Sequence, residues 1–189
     1  MLRLTPRDRP DEFAAAVERC VAALARAHTL LAEGGWAAAD LGAVAARELS
    51  GLPPGTARLE GPLATLVASA VQPVAMALHE LATNAAKHGA LSRPEGRVSL
   101  RWRLDPGTAT VRLTWTESGG PPVTAPPSRR GFGSRMIEAT LEGQLGGTLA
   151  VHWEAEGLRT EIALPVARVL AADAGPEAEE VDFALAPGK

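Results

Sequence analysis

Two rhythms of apolar and polar residues divide the chain. Phe13, Val17, Cys20, Leu24, Ala27 and Leu31 recur at alternating spacings of four and three. That pattern predicts a helix over 11–33 with a seam for packing against other helices. Asp11 and Glu12 suit its N-terminus, and Gly34-Gly35 ends it. A second helix is expected over about 37–50, stopped by Gly51 and Pro53-Pro54. A short strand near 57–60 and a turn at Gly61-Pro62 lead to a third helix over roughly 70–88.

The period then changes to two. Val98, Leu100, Trp102 and Leu104 alternate with Arg97, Ser99, Arg101 and Arg103. Val111, Leu113, Trp115 and Glu117 alternate with Thr110, Arg112, Thr114 and Thr116, and Asp105-Pro106-Gly107 joins the two runs as a hairpin. Two more strands are expected at 148–153 and 158–164. The result is a mostly antiparallel sheet with one apolar face and one rich in Arg and Thr. Helices on the apolar face give an α+β protein, an α/β sandwich. Between the second and third of these strands, residues 118–133 are too rich in Gly and Pro for regular structure; a helix at about 134–143 follows. Residues 1–10 are basic and proline-punctuated, a frayed start. Residues 171–189 carry Asp173, Glu177, Glu179, Glu180 and Asp182 and read as a disordered acidic tail or linker. The expected organisation is a helical segment over 1–35, a main domain over 36–168 and the tail over 169–189.

Composition narrows the function. A chain of 189 residues suits one domain with an appendage, and 46% hydrophobic residues suffice for a core. A formal net charge of −3 gives no electrostatic case for nucleic acid. No apolar run is long enough for a membrane span, and no secretory signal is present. A single cysteine excludes an intrachain disulfide framework, so the expected compartment is the cytoplasm. Cys20, in the seam, reads as core.

One stretch departs from this composition. Asn84 is the sole asparagine, and Lys87 is one of only two lysines, with Lys189. Both follow Glu80 at i+4 and i+7, on one helical stripe roughly 60° wide. Val74, Leu78, Leu81 and Ala85 cluster elsewhere on the same helix. The helix thus buries one side and presents an acid, an amide and an amine on another. Asn offers a neutral oxygen to a metal ion, and Lys a compact charge for phosphate. An ordinary solvated helix face would show the same stripe. A zinc-protease motif is excluded, because position 83, four after His79, is Thr. His79 and His88 point to opposite sides of the helix.

Two further signals follow in order. Alternation aims Glu117 towards the apolar side of the sheet, where a buried acid needs donors; a heterocyclic amine such as that of adenine would be one. Gly119 and Gly120 would let a flat ring approach the backbone. The alternative is that Glu117 ends its strand and turns to solvent. Gly131-Phe132-Gly133-Ser134 then opens a helix whose backbone N–H groups suit a phosphate chain. Arg129, Arg130 and Arg135 flank this turn. Acid/amide/amine helix, strand-end acid, flexible loop and glycine turn can each touch a different part of one Mg-ATP molecule.

These motifs resemble the ATP-binding half of bacterial sensor histidine kinases, in the Bergerat superfamily. They resemble most closely the HWE class, marked by a His before the N-box Glu and a Trp-x-Glu. Here those are His79 and Trp115-Thr116-Glu117. The stretches ALARAHTLLAEGGW (23–36), ALHELATNAAKHGALS (77–92), LTWTESGGPPV (113–123) and RRGFGSRMIE (129–138) carry the resemblance. It implies that Asn84 ligands Mg²⁺, that Glu80 polarises or orients the nucleophile, and that Lys87 and His88 contact phosphates. Glu117 would accept the adenine amine, and Gly119 would let the ring pack. Residues 118–133 would form a lid, with Arg130, Gly131, Phe132, Gly133 and Ser134 at the phosphates. The reaction implied is γ-phosphoryl transfer to a histidine, then to a response regulator.

Residues 1–10 hold no histidine, so the chain is either a fragment of a longer sensor, with the phosphoacceptor upstream, or a truncated kinase; the first is the expectation. The 11–33 helix resembles the second helix of the family's dimerisation hairpin, and a homodimer through it is expected. His28 could substitute as acceptor, but a packing role fits it better, and His152 reads as exposed on the outer sheet face. The other functions open are a serine kinase of the anti-sigma-factor type and a non-catalytic phosphotransfer or adaptor protein. A gyrase-like ATPase would need a further domain after this one.

Overall fold

A computed structural model of the chain describes residues 38–123, 132–171 and 180–183, together with the single helical positions Val21, Ala25, Thr29 and Ala32. Those four positions fall in the helix expected over 11–33; its seam residues, Cys20 and His28 lie outside the described residues, as do Arg129, Arg130 and Gly131.

The first described element is a strand rather than the start of a helix. Strand β1 (Ala38–Asp40) pairs antiparallel with β3 (Thr65–Val67). The expected 37–50 helix is shortened at its start to α1 (Leu41–Leu49). The reason is Asp40, whose carboxylate accepts from Ala43 N–H at 2.8 Å and so caps the helix where it stands. Strand β2 (Ala57–Pro62) follows. After β3 comes α2 (Ala68–Lys87), twenty residues that bury Val74, Leu78, Leu81 and Ala85 as the stripe predicted.

Strands β4 (Arg97–Asp105) and β5 (Thr110–Ser118) form the expected hairpin, with every Cα partner from Arg97–Ser118 to Asp105–Thr110 in register. Asp105 Oδ1 accepts from Gly107 N–H at 3.1 Å and fixes the turn. Helix α3 (Phe132–Leu141), strands β6 (Thr148–Glu154) and β7 (Gly157–Pro165) and a short α4 (Val166–Val169) complete the domain.

The main sheet runs β6-β7-β5-β4-β2-β8, where β8 is Glu180–Phe183. All pairs are antiparallel except β2 with β4. That parallel pair needs a crossover, and α2 supplies it. Within the stretch expected to be an acidic tail, β8 thus forms a strand that pairs with β2.

Alternation sets the two faces. Leu59, Leu100, Leu113, Trp115, Ile162 and Leu164 point inward under the helices and are buried. Trp102 packs over Gly61, where a Cβ would overlap its indole, and its N–H donates to the Pro62 carbonyl at 2.7 Å. The outer face carries ion pairs: Arg101 to Glu60 at 3.0 Å and Arg112 to Asp105 at 2.7 Å. His152 is exposed there, opposite Arg159. The chain is therefore an α+β sandwich with its core between the sheet and one helical layer.

Candidate functional site

The site is assembled where the C-terminal end of α2 meets the end of β5. Alternation in β5 turns Glu117 inward, and it is only 3% exposed. One carboxylate oxygen accepts from Ala90 N–H at 2.8 Å and the other from the Trp115 indole at 3.1 Å. The acid therefore stays at the strand end without turning to solvent. Burial pushes its carboxyl above the usual range, against the pull of the two donors, which favour the ionised form.

Two glycines make room for this arrangement. A Cβ on Gly89 would overlap Oε2 of Glu117 and come within 2.9 Å of Ala85 Cα. Gly119 has φ +71°, and a Cβ there would meet the Glu95 carbonyl. Gly89→Ala is expected to displace the Glu117 carboxylate and to lower stability by about 1–3 kcal/mol, measurable as a lower denaturation midpoint with an unchanged slope.

Glu117 lines a small cavity of about 90 Å³. Asn84, His88, Gly120, Pro121 and Val123 share it, with Trp153 and Leu158 from the β6–β7 hairpin. Asn84 and His88 thus reach the same space as Glu117. Val123 N–H donates to the Ala155 carbonyl at 3.4 Å, which ties the loop after β5 to that hairpin.

The rest of the α2 stripe flanks Asn84, with Glu80 one turn before it and Lys87 one turn after. Glu80 is 2% exposed, and a Cβ on Gly133 would overlap its Oε2. The glycine that opens α3 thus rests directly on the acid of α2. Ser134 is half-buried beside it, and Lys87 is exposed in the last turn of α2, off the cavity wall. Of Phe132 only its place at the start of α3 is described; Arg130 and Gly131 lie outside the described residues. The structure brings together Asn84, His88 and Glu117, and separately Glu80 and Gly133.

Sequence reasoning missed several neighbours. His79 Nδ1 lies 3.2 Å from the carboxylate of Glu48, itself buried on α1. No sequence spacing links those two helices. Thr160 is buried, and its hydroxyl has no hydrogen-bond partner among the described residues. It stands opposite Trp115 on the inner face, next to Glu117. Trp153 and Leu158 were legible in principle, since alternation along β6 and β7 puts both on the inner face.

Among the described residues no group of three or more His, Cys, Asp and Glu could hold a metal ion, and no helix is long and apolar enough to cross a membrane. A cation carried by a nucleotide needs only one or two protein oxygens beside the phosphates. Asn84 on the cavity wall carries a carboxamide oxygen of that chemical type.

Residues 55–151 match the histidine kinase-like ATPase domain family, and residues 1–63 match the HWE histidine kinase family. A blue-light-activated histidine kinase of Rhizobium johnstonii is 41% identical over 88% of this chain and 48% of its own length. That of Brucella ovis is 33% identical over 76% of this chain and 30% of its own length. The chain thus spans about half or less of these relatives. In structure it is similar to the histidine kinase domain of the Erythrobacter litoralis blue-light activated histidine kinase, with TM-score 0.63 at 22% identity, over 80% of this chain and 75% of that one. It also resembles the ATP-binding domain of PrrB from Mycobacterium tuberculosis, with TM-score 0.52 at 19% identity, over 68% of this chain and 96% of that one.

Proposed function

Because the chain belongs to the histidine kinase-like ATPase domain family, we propose that it is the catalytic half of an ATP-dependent protein-histidine kinase of a two-component system, acting in the cytoplasm. The observation that carries this reading is the single cavity shared by Glu117, Asn84 and His88. In it Glu117 accepts the adenine amine, and burial makes that acceptor discriminating, because a base without the amine leaves it unpaired.

From the base, the phosphates run along α2 towards Gly133 at the start of α3. There the first N–H groups of the helix face negative charge, and Lys87 and His88 add positive charge at the last turn of α2. Asn84 would hold Mg²⁺, which when bound neutralises charge on the phosphates. Glu80 takes up or orients the proton of the attacking imidazole as its nitrogen bonds the γ-phosphorus and the bond to ADP breaks. Gly133 and Glu80 lie in contact, so the acid sits where the phosphate chain ends.

The phosphorylated histidine lies on a helical hairpin to which the 11–33 helix contributes its second half, and the same hairpin joins two copies. The phosphoryl group then passes to an aspartate of a response regulator. The test is transfer from γ-labelled Mg-ATP to this chain with a histidine-bearing hairpin fused ahead of residue 1. Acid-labile label on the fused hairpin is the expected result. Tight nucleotide binding with no label on any acceptor histidine would reduce the reading to a nucleotide-binding adaptor.

A further inference from the structure

The nucleotide cavity has a wall that none of the motifs accounts for. On the inner face of the sheet Trp153 pairs with Leu158 across β6 and β7. One step beyond the Thr116–Arg159 pair, Leu158 stands beside Glu117, which in turn pairs with Val98. Trp153, Leu158 and Glu117 therefore form a row across three adjacent strands, with Trp153 roughly 10 Å from Glu117 at two strand spacings. All three line the cavity.

Trp153 differs from the other tryptophans of that face, Trp102 and Trp115, which are buried. Trp115 is fully buried, but Trp153 is 42% exposed, and it lies on an edge strand with no neighbour beyond it among the described residues. Val151, two residues earlier on the same face, is 44% exposed. An exposed indole beside a buried acceptor is poorly explained by core packing. It is well placed to contact a ring whose polar edge that acceptor holds. The free cavity of about 90 Å³ also falls short of the about 300 Å³ at the lower end of ligand pockets. An indole that is 42% exposed on an edge strand has room to reorient as a base enters.

We propose that Trp153 is a specificity-determining wall of the site, which packs its indole on the face of the purine while Glu117 takes the amine. This rests on the nucleotide reading above. Stacking favours any flat base over none, and Glu117 then selects adenine; the two residues divide affinity and identity between them.

The test is calorimetric titration of the chain and of Trp153→Ala and Trp153→Phe with Mg-ADP, adenosine and pyrophosphate, with tryptophan fluorescence followed in parallel. Trp153→Ala is expected to weaken ADP and adenosine by about tenfold or more and to leave pyrophosphate unchanged. Trp153→Phe keeps ADP affinity within about threefold and loses the fluorescence change that ADP causes in the native chain. Should Trp153→Ala fail to fold, the Phe variant decides through that signal. Native ADP binding with unaltered affinity and signal in the folded variants overturns the role of Trp153 and leaves the nucleotide site standing. Failure of the native chain to bind ADP overturns both.

Discussion

Asn84→Ala should lower phosphoryl transfer by roughly 10²–10³-fold while the protein stays folded. The side chain stands on the wall of the cavity that also holds Glu117. Its backbone carbonyl accepts from His88 and Gly89 N–H, both at 2.9 Å, and the substitution keeps those bonds. Alanine is also the better helix former, so the melting temperature should hold or rise. The loss should fall on the Mg²⁺-dependent part of nucleotide binding: ADP without the metal should bind both proteins alike. The measurement is the initial rate of acid-labile labelling of the fused histidine-bearing hairpin from Mg-ATP, beside titrations with and without the cation. Equal rates in the two proteins would remove Asn84 from the reaction.

The second large effect concerns Glu117. Glu117→Ala should weaken ADP by at least about 10²-fold, because it removes the only described carboxylate in the cavity and strands two donors, Ala90 N–H and the Trp115 indole. The native acid also gives the site a pH signature. Its carboxyl is raised by burial, so the folded protein holds a proton more firmly than the unfolded chain does. The stability this contributes is full below the ordinary glutamate value and is lost as pH rises through the raised one. Adenine binding has the opposite sign, since the amine donates to the ionised acid: affinity falls as pH drops through that same window. Melting temperature and ADP affinity measured across the acid range should therefore move in opposite directions, and in Glu117→Gln both trends should flatten. Parallel trends would assign the pH dependence to other groups.

This opposition bears on why a buried acid is retained. Among the described residues two hydrogen bonds hold its ionised form against the cost of burial. A leucine there would pack with Trp115 and Val98 but would leave the Ala90 N–H and the Trp115 indole without their acceptor. Adenine binding, as proposed above, would give the buried acid a role beyond accepting from those two donors.

Much of this was legible from residue order because alternation is a strong constraint. In β5 it put Glu117 on the same face as Trp115, and a slip of one residue would have turned Leu113 to solvent. In α2 the stripe of Val74, Leu78, Leu81 and Ala85 fixed which side Glu80 could occupy. What stayed hidden needed contact between distant segments. The Glu48–His79 pair joins two helices by an angle of packing that no local pattern encodes. Gly133 against Glu80 is likewise a meeting of α3 and α2, and only the absence of a side chain hinted at it. Asp40 was readable as a helix cap, but the small residues before it masked β1, whose partner β3 comes some twenty-five residues later. Trp153 was overlooked because β6 exposes both its faces, so burial did not mark one as important.

The placement of β2 has a consequence for how the polypeptide matures. Its two neighbours are β4, from the middle of the chain, and β8, from near its end. During synthesis the rim of β2 that β8 covers stays open, offering a row of unpaired amides, until residues 180–183 have left the ribosome. A nascent molecule held in that interval is exposed to mispairing with its neighbours. The acidic stretch around β8, with Asp173, Glu177, Glu179, Glu180 and Asp182, repels other copies of itself. Residues 173–183 therefore carry both the strand that covers β2 and the charge that opposes pairing between nascent chains.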